Sequence, residues 1–354
     1  MTSIAEGGFW RERRVLVTGH TGFKGAWLCA LLLRRGAHVG GIALPPPTTP
    51  SLWALAPYAA DVDERIVDVR DAEALAAAVA AFRPTTVFHL AAQPLVRRGY
   101  AEPVLTYATN VMGTVNLLDA LRGCQSVEEA VVVTSDKVYA DAPHPGGYTE
   151  DDGRLGGYDP YAGSKAAAEL VVETYRSAYF SQPGAARIAT ARAGNVIGGG
   201  DFADDRLLPD AYRAVASGAP LRIRRPDAVR PWQHVLEPLH GYLALAQALA
   251  TRRAPHRAYN FGPAERAVSV RVVAERFVRG LGADPNQAIV VEPSPEHETA
   301  VLDVDSTRAR AELNWTPRWS TEAAVDASAA WYRAFLAGEP AGALVERDLT
   351  AYAG

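Results

Sequence analysis

Lysine is nearly absent from this chain. Of 36 basic residues in 354, only Lys24, Lys137 and Lys165 are lysines. Arginine fills the positions where any cation suffices, so these three mark sites that require a compact ammonium with an adjustable pKa. Cysteine is scarce as well: Cys29 and Cys124 are the only two, each in an apolar, helical context. That excludes a disulfide framework and suits small core residues in a reducing cytoplasm. The eight histidines show no ligand spacing, so no metal site is expected. No apolar run is long enough to span a membrane, and the opening MTSIAEGGFWRERR contains nothing like a secretion signal. The net charge of −4 points to neither nucleic acid nor an anionic membrane surface as partner.

What is present is an alternation. Short apolar runs at Val15–Val17, Val39–Ala43, Arg65–Val69, Val87–Leu90, Ala130–Thr134 and Ile188–Arg192 read as strands. Helical periodicity separates them at Ala26–Arg35, Ala72–Ala81, Val104–Leu121 and Ala162–Ala178. This predicts an α/β fold, a Rossmann-type doubly wound parallel sheet covered on both faces. The proline-rich Pro45–Pro50 after the second strand cannot be helical. After about residue 195 the pattern loosens, with shorter helices at Arg206–Ser217, Leu236–Ala250 and Val270–Leu281. Residues 1–195 are therefore expected to form a dinucleotide-binding domain that also carries the catalytic residues. Residues 196–354 are expected to form mainly a smaller substrate-binding lobe, some segments of which return to the first.

The first strand runs into Gly19-His20-Thr21-Gly22-Phe23-Lys24-Gly25, and a helix follows. Three glycines let the backbone turn tightly and approach a pyrophosphate at the helix N-terminus. Asp68-Val69, at the end of the third strand, is placed to meet an adenine. Ala91-Ala92-Gln93, at the end of the fourth, lies where a nicotinamide ribose would sit. The second strand, by contrast, lacks the terminal acid that usually holds the ribose 2′-hydroxyl. His20 or Lys24 is the substitute, and Lys24 would also accept a 2′-phosphate, so these residues alone leave NAD and NADP both open.

Tyr161 and Lys165 are four apart on a helical stretch and so share a face. An ammonium near a phenol favours the phenolate, which would lower the tyrosine pKa and let it take a proton from a sugar hydroxyl. Upstream, Ser135-Asp136-Lys137 follows the fifth strand, and ligands bind at the carboxyl ends of strands in such sheets. Ser135 can hydrogen-bond the reacting hydroxyl. A simple oxidoreductase needs no more than serine, tyrosine and lysine, so Asp136 and Lys137 suggest a further proton-transfer step, such as loss of water.

Together these motifs resemble the extended short-chain dehydrogenases/reductases, the NAD-dependent nucleotide-sugar epimerase/dehydratase family. The likeness rests on GHTGFKGAWL, AAQPLVRR (91–98), TNVMGTVNLLDA (109–120), VVTSDKVY (132–139), GGYDPY (156–161), RAGNVIGGGDF (192–202), DRLLPD (205–210), RPWQHVLEPL (230–239) and YNFGP (259–263). Within the family it is similar to the 4,6-dehydratase branch that acts on CDP-glucose, because Lys137 stands where the dTDP-glucose and GDP-mannose branches carry glutamate. The resemblance implies NAD as a regenerated cofactor. Its binding residues would include Leu90, Asn110 and Thr134 beside those named above and Tyr161 and Lys165. It implies a nucleoside-diphosphate sugar as substrate, CDP-glucose, contacted by Gln93, Ser135, Asn195, Arg206, Leu207, Arg224, Arg230 and His297, with Trp232 and His234 equally able to be packing residues. It further implies a cytoplasmic homodimer or dimer of dimers, paired partly through the helices carrying Met112 and Tyr161. A 4-epimerase would use Ser135, Tyr161 and Lys165 but would not need Asp136 and Lys137. A dehydratase of another sugar nucleotide, or a redox-sensing cofactor binder, are the other readings. The chain departs from the family at Ala162-Gly163, where Ser-Asn is usual, and at Phe202, where tryptophan is usual.

Overall fold

The protein is described here by a computed structural model covering residues 8–140, 146–152, 155–255, 257–293 and 299–353. Seven strands form one parallel sheet: β1 Arg14–Thr18, β2 His38–Ala43, β3 Asp63–Ile66, β4 Thr86–His89, β5 Glu129–Val133, β6 Arg187–Ala193 and β7 Ala258–Phe261. Their order is β7-β6-β5-β4-β1-β2-β3. The chain winds one way from β1 through β2 to β3, then crosses to β4 and winds the other way. The crevice at that reversal, between β1 and β4, is where a doubly wound sheet binds ligands. Strands β4 and β5 are buried along their whole length, which suits the apolar Val87–Phe88 and Ala130–Val133 within them.

Helix α1 (Phe23–Arg34) follows β1, and α2 (Ala72–Phe82) turns Leu75, Ala78, Val79 and Phe82 inward. Helices α3 (Gly113–Arg122) and α4 (Pro160–Tyr179) pack against one another on the same side of the sheet as α2. Beyond β6 the chain forms three two-stranded pairs and the helices α5 (Leu207–Ser217), α6 (Leu236–Ala250), α7 (Val270–Gly280) and α8 (Thr321–Leu336). Helix α6 comes back to lie on β5 and β6. Phe202 sits in an aromatic cluster with Tyr212, Trp331, Tyr332 and Phe335.

Three expectations about elements are corrected. The third strand was expected at Arg65–Val69 but lies at Asp63–Ile66, so Asp68 and Val69 belong to the loop beyond it. It is an exposed edge strand with no buried residue, and Val69 instead packs against Gly113. The expected helix Val104–Leu121 is broken into Pro103–Tyr107, a π-helical turn Ala108–Met112, and α3. The wide turn contains Asn110, whose side chain bridges both backbone polar groups of Gln93 and the hydroxyl of Ser164. Finally, β7 was not among the expected strands.

Candidate active site

The glycine loop is built by steric necessity. Gly19 has φ +76, and a Cβ there would stand 2.7 Å from the backbone nitrogen of Ala91. Gly25 leaves no room for a Cβ beside the carbonyl of Gly19. The loop therefore nests against Leu90-Ala91 at the end of β4. Helix α1 starts at Gly22 with no side-chain cap and no acid in its first turn. Its open N–H groups and positive dipole end suit a diphosphate, and the glycines leave the surface on which one would lie. These residues fit a dinucleotide.

His20 and Lys24, the two side chains of this loop expected at the ribose, point in different directions. His20 is fully buried and turned toward β2 and β3, its Nε2 2.9 Å from Glu64 Oε1. Gly41 has no side chain because the His20 ring occupies that space. Trp53 Nε1 donates to the same carboxylate oxygen at 3.0 Å. Glu64, in register with Gly41 across the β2–β3 pair, thus supplies at this edge the carboxylate missing from β2. No local motif marks it; only the strand pairing reveals it. Lys24 turns the other way. Its Nζ lies 3.5 Å from Tyr242 Oη on α6, within the fields of Arg206, Lys165 and Asp136. Burial first, then its cationic neighbours, push its pKa down to about 7. Lys24 thus faces Tyr242 and a cluster of charges that includes Lys165, Asp136 and Arg206.

At the carboxyl end of β5, Ser135 opens a short 3₁₀ turn, Asp136–Val138, and its Oγ accepts from Lys137 N at 3.2 Å. The same hydroxyl donates to Asp136 Oδ1 at 3.0 Å. Asp136 is 2% exposed, and its Oδ2 has no protein partner among the described residues. Gly194, at the end of β6, makes the space for that carboxylate. Lys137 is half-buried.

Helix α4 begins at Asp159, which accepts from Ala162 N at 2.9 Å, with Pro160 in the first turn. This cap sets Tyr161 at the mouth of the helix, hydrogen-bonded to Ser135 and within the fields of Asp136 and Arg206. Gly163 makes room for the hydroxyl of Tyr107. One turn on, Lys165 Nζ donates to Val133 O at 3.1 Å. Burial pushes Lys165 down to about 8, opposed by Glu169. The expected lowering of the Tyr161 pKa is reversed. Burial raises it to about 12, against its interaction with Ser135 and the charge of Arg206. Ser135, Asp136, Tyr161, Lys165, Lys24 and Arg206 thus surround one cleft.

The remaining expected residues make the following contacts. The Gln93 amide donates to Thr106 Oγ1 and Leu95 O and accepts from Leu95 N, so it stiffens its own loop. Asp68 pairs with Arg70. Thr134 donates to Glu169. Arg206, at the start of α5 beside Leu207, holds Asp201 at 2.9 Å, and Arg224 lies 3.6 Å from Asp205. Arg230 is buried, with Nη1 donating to Val229 O at 2.8 Å. Asn195 adopts φ +43, and its carbonyl accepts from Gln233 N. Trp232 and His234 are packing residues: Trp232 Nε1 donates to Val268 O, and His234 lies against Trp27 and Trp319. His297 lies outside the described residues. Among the described residues no group of three or more His, Cys, Asp or Glu could hold a metal ion, and no helix is long and apolar enough to cross a membrane.

Residues 15–262 match the family described as NAD dependent epimerase/dehydratase. The chain is 42% identical over 350 residues to the CDP-glucose 4,6-dehydratase of Salmonella typhimurium, covering 97% of each. It is 30% identical over 252 residues to the dTDP-glucose 4,6-dehydratase of Streptomyces griseus, covering 70% of this chain and 71% of that one. Among solved structures it is similar to the UDP-glucose 4-epimerase of Thermus thermophilus in complex with NAD, with a TM-score of 0.77 and 26% identity over 90% of this chain and 98% of that one.

Proposed function

This chain belongs to the NAD dependent epimerase/dehydratase family, and we propose that it is a hydro-lyase that converts CDP-D-glucose to CDP-4-keto-6-deoxy-D-glucose. The observation that carries the reading is the Asp136 carboxylate, buried with one free oxygen beside Tyr161 and Ser135. Oxidation at C4 alone gives that group no task.

The glycine loop and the α1 N-terminus would hold NAD, which would supply a reversible hydride acceptor for oxidation at C4 and reduction at C6. The chain's own residues supply the proton chemistry. Tyr161, as its phenolate, takes the C4 hydroxyl proton, with Ser135 holding that hydroxyl; the charge of Arg206 and the contact with Ser135 favour that phenolate against the burial that raises its pKa. Lys165, Lys24 and Arg206 place positive charge around the forming oxyanion in a buried cleft, where such charge acts most strongly. The 4-ketone makes the C5 hydrogen acidic. Asp136 and Lys137 act as the acid–base pair: one takes the C5 proton and the other protonates the departing C6 hydroxyl. The net change is one molecule of water lost, with no net oxidation. Arg206, Arg224 and Arg230 are suited to the diphosphate, since a guanidinium binds phosphate through paired donors.

The two free cysteines support a cytoplasmic protein. Exposed Val104, Tyr107 and Met112, together with Leu170 on α4, support a homodimer in which a second copy covers these helices. Leu170→Arg should then shift the mass seen by light scattering from dimer to monomer.

The test of activity is incubation of the purified protein and NAD with CDP-glucose, followed by mass and alkaline absorbance of the product. Loss of one water without accumulated NADH supports the proposal. A product of unchanged mass selects a 4-epimerase, and no product refutes both.

A further inference from the structure

Behind the catalytic residues lies a buried ion pair that the mechanism above does not use. Glu169 is one turn beyond Lys165 on α4 and 6% exposed; Arg192, on β6, is 5% exposed. Arg192 grips the carboxylate in bidentate fashion, Nε to Oε1 and Nη2 to Oε2, both at 2.9 Å. Thr134 and Thr190 donate to the same two oxygens at 2.5 and 2.8 Å. Arg192 Nη1 reaches on to Tyr139 Oη at 3.0 Å, which in turn donates to Asn260 Oδ1 at 2.6 Å.

The placement of these bonds is informative. Lys165 holds Val133 O, Glu169 holds the next residue, Thr134, and Arg192 holds Tyr139. The Ser135-Asp136-Lys137 turn is bracketed on both sides by one ion pair, and the same pair pins the helix that carries Tyr161 and Lys165. We propose that the Glu169–Arg192 pair positions Lys165 and the 135–137 turn relative to each other and sets the charge that Lys165 experiences. Neither residue touches the cleft, so both are positioning residues. This rests on the reading of Lys165 as the partner of Tyr161.

The charged or titratable groups that act on Lys165 are Glu169 from its own helix, Lys24 from α1 and His89 from β4. Of these, Glu169 opposes the loss of the Lys165 proton. Arg192 cancels part of that field. The two members of the pair therefore act on Lys165 with opposite sign, which packing alone would not do.

The scarcity of lysine makes this measurable without turnover. In protein labelled with 13C-lysine, the three Cε resonances can be assigned with Lys→Arg variants and titrated by NMR. The Lys165 midpoint, near 8 in the native chain, should fall by about one pH unit in Glu169→Gln and rise by a similar amount in Arg192→Gln. Midpoints that move in the same direction, or do not move, overturn the inference. If neither single variant folds, the double variant Glu169→Gln/Arg192→Gln decides. The nearer charge is then gone, so its midpoint should lie below the native one, and an unchanged midpoint overturns the inference. Native protein that fails to dehydrate CDP-glucose while the midpoints move apart would refute the proposed function and leave this inference standing.

Discussion

Gly194→Ala displaces the Asp136 carboxylate without altering any residue of the proposed mechanism. Gly194 does not have a positive φ, so alanine meets no backbone strain there. A Cβ would stand 2.5 Å from Asp136 Oδ1 and overlap Oδ2 and Cγ. The carboxylate must retreat by more than about 1 Å to restore ordinary contact. It is the far end of a short side chain, so the fold should survive with a loss of about 1 kcal/mol, the worth of the Ser135 hydrogen bond. A displacement of that size in a proton-transfer group costs about 100-fold in rate. Elimination should therefore slow by about that factor, while oxidation at C4, which uses Tyr161, Ser135 and Lys165, continues. Stopped-flow absorbance would show reduced nicotinamide accumulating in the variant, and mass analysis would show little water lost. Native turnover in Gly194→Ala would refute the placement of Asp136 in the elimination step.

Three further outcomes are expected. Lys137→Ala should abolish water loss yet leave transient NADH, and unchanged turnover would remove Lys137 from the mechanism. The rate should decline as pH rises from about 7 through about 8, because the ammoniums of Lys24 and Lys165 are present below those values and lost above them. A profile that stays level to pH 10 would contradict this. Gly19→Ala should lower the melting temperature and weaken NAD binding by calorimetry, since the left-handed backbone alone costs about 1–2 kcal/mol and the added Cβ meets the backbone of Ala91. An unaltered affinity would move the dinucleotide off this loop.

The sheet was legible because buried parallel strands carry apolar runs, Val87–Phe88 in β4 and Ala130–Val133 in β5. Where that physical cause is missing, the reading slipped. The edge strand β3 buries nothing and left no pattern, so the apolar Val67 and Val69 drew the expected strand toward themselves. Strand β7 joins the sheet only after a long excursion, and no local signal announces that pairing. The π-helical turn keeps helical periodicity on either side, which hides the extra residue. In the site, Tyr161 and Lys165 were legible from spacing, and Ser135-Asp136-Lys137 from its place after a strand. The direction of a side chain is set by tertiary neighbours: Lys24 faces Tyr242, and His20 faces Glu64, a partner 44 residues away. The same holds for the Tyr161 pKa, where burial outweighs every nearby charge.

Strand β7 has a consequence for the protein as an object to be cut. It closes one margin of the sheet, and α6 roofs β5 and β6, although both come from the second half of the chain. A fragment stopped after β6 would expose a bare row of backbone donors and acceptors along that strand, beneath an unroofed apolar surface, and such margins recruit other chains. Expressed alone, the first half should aggregate, because the sheet is finished only when the last part of the polypeptide has folded back onto it.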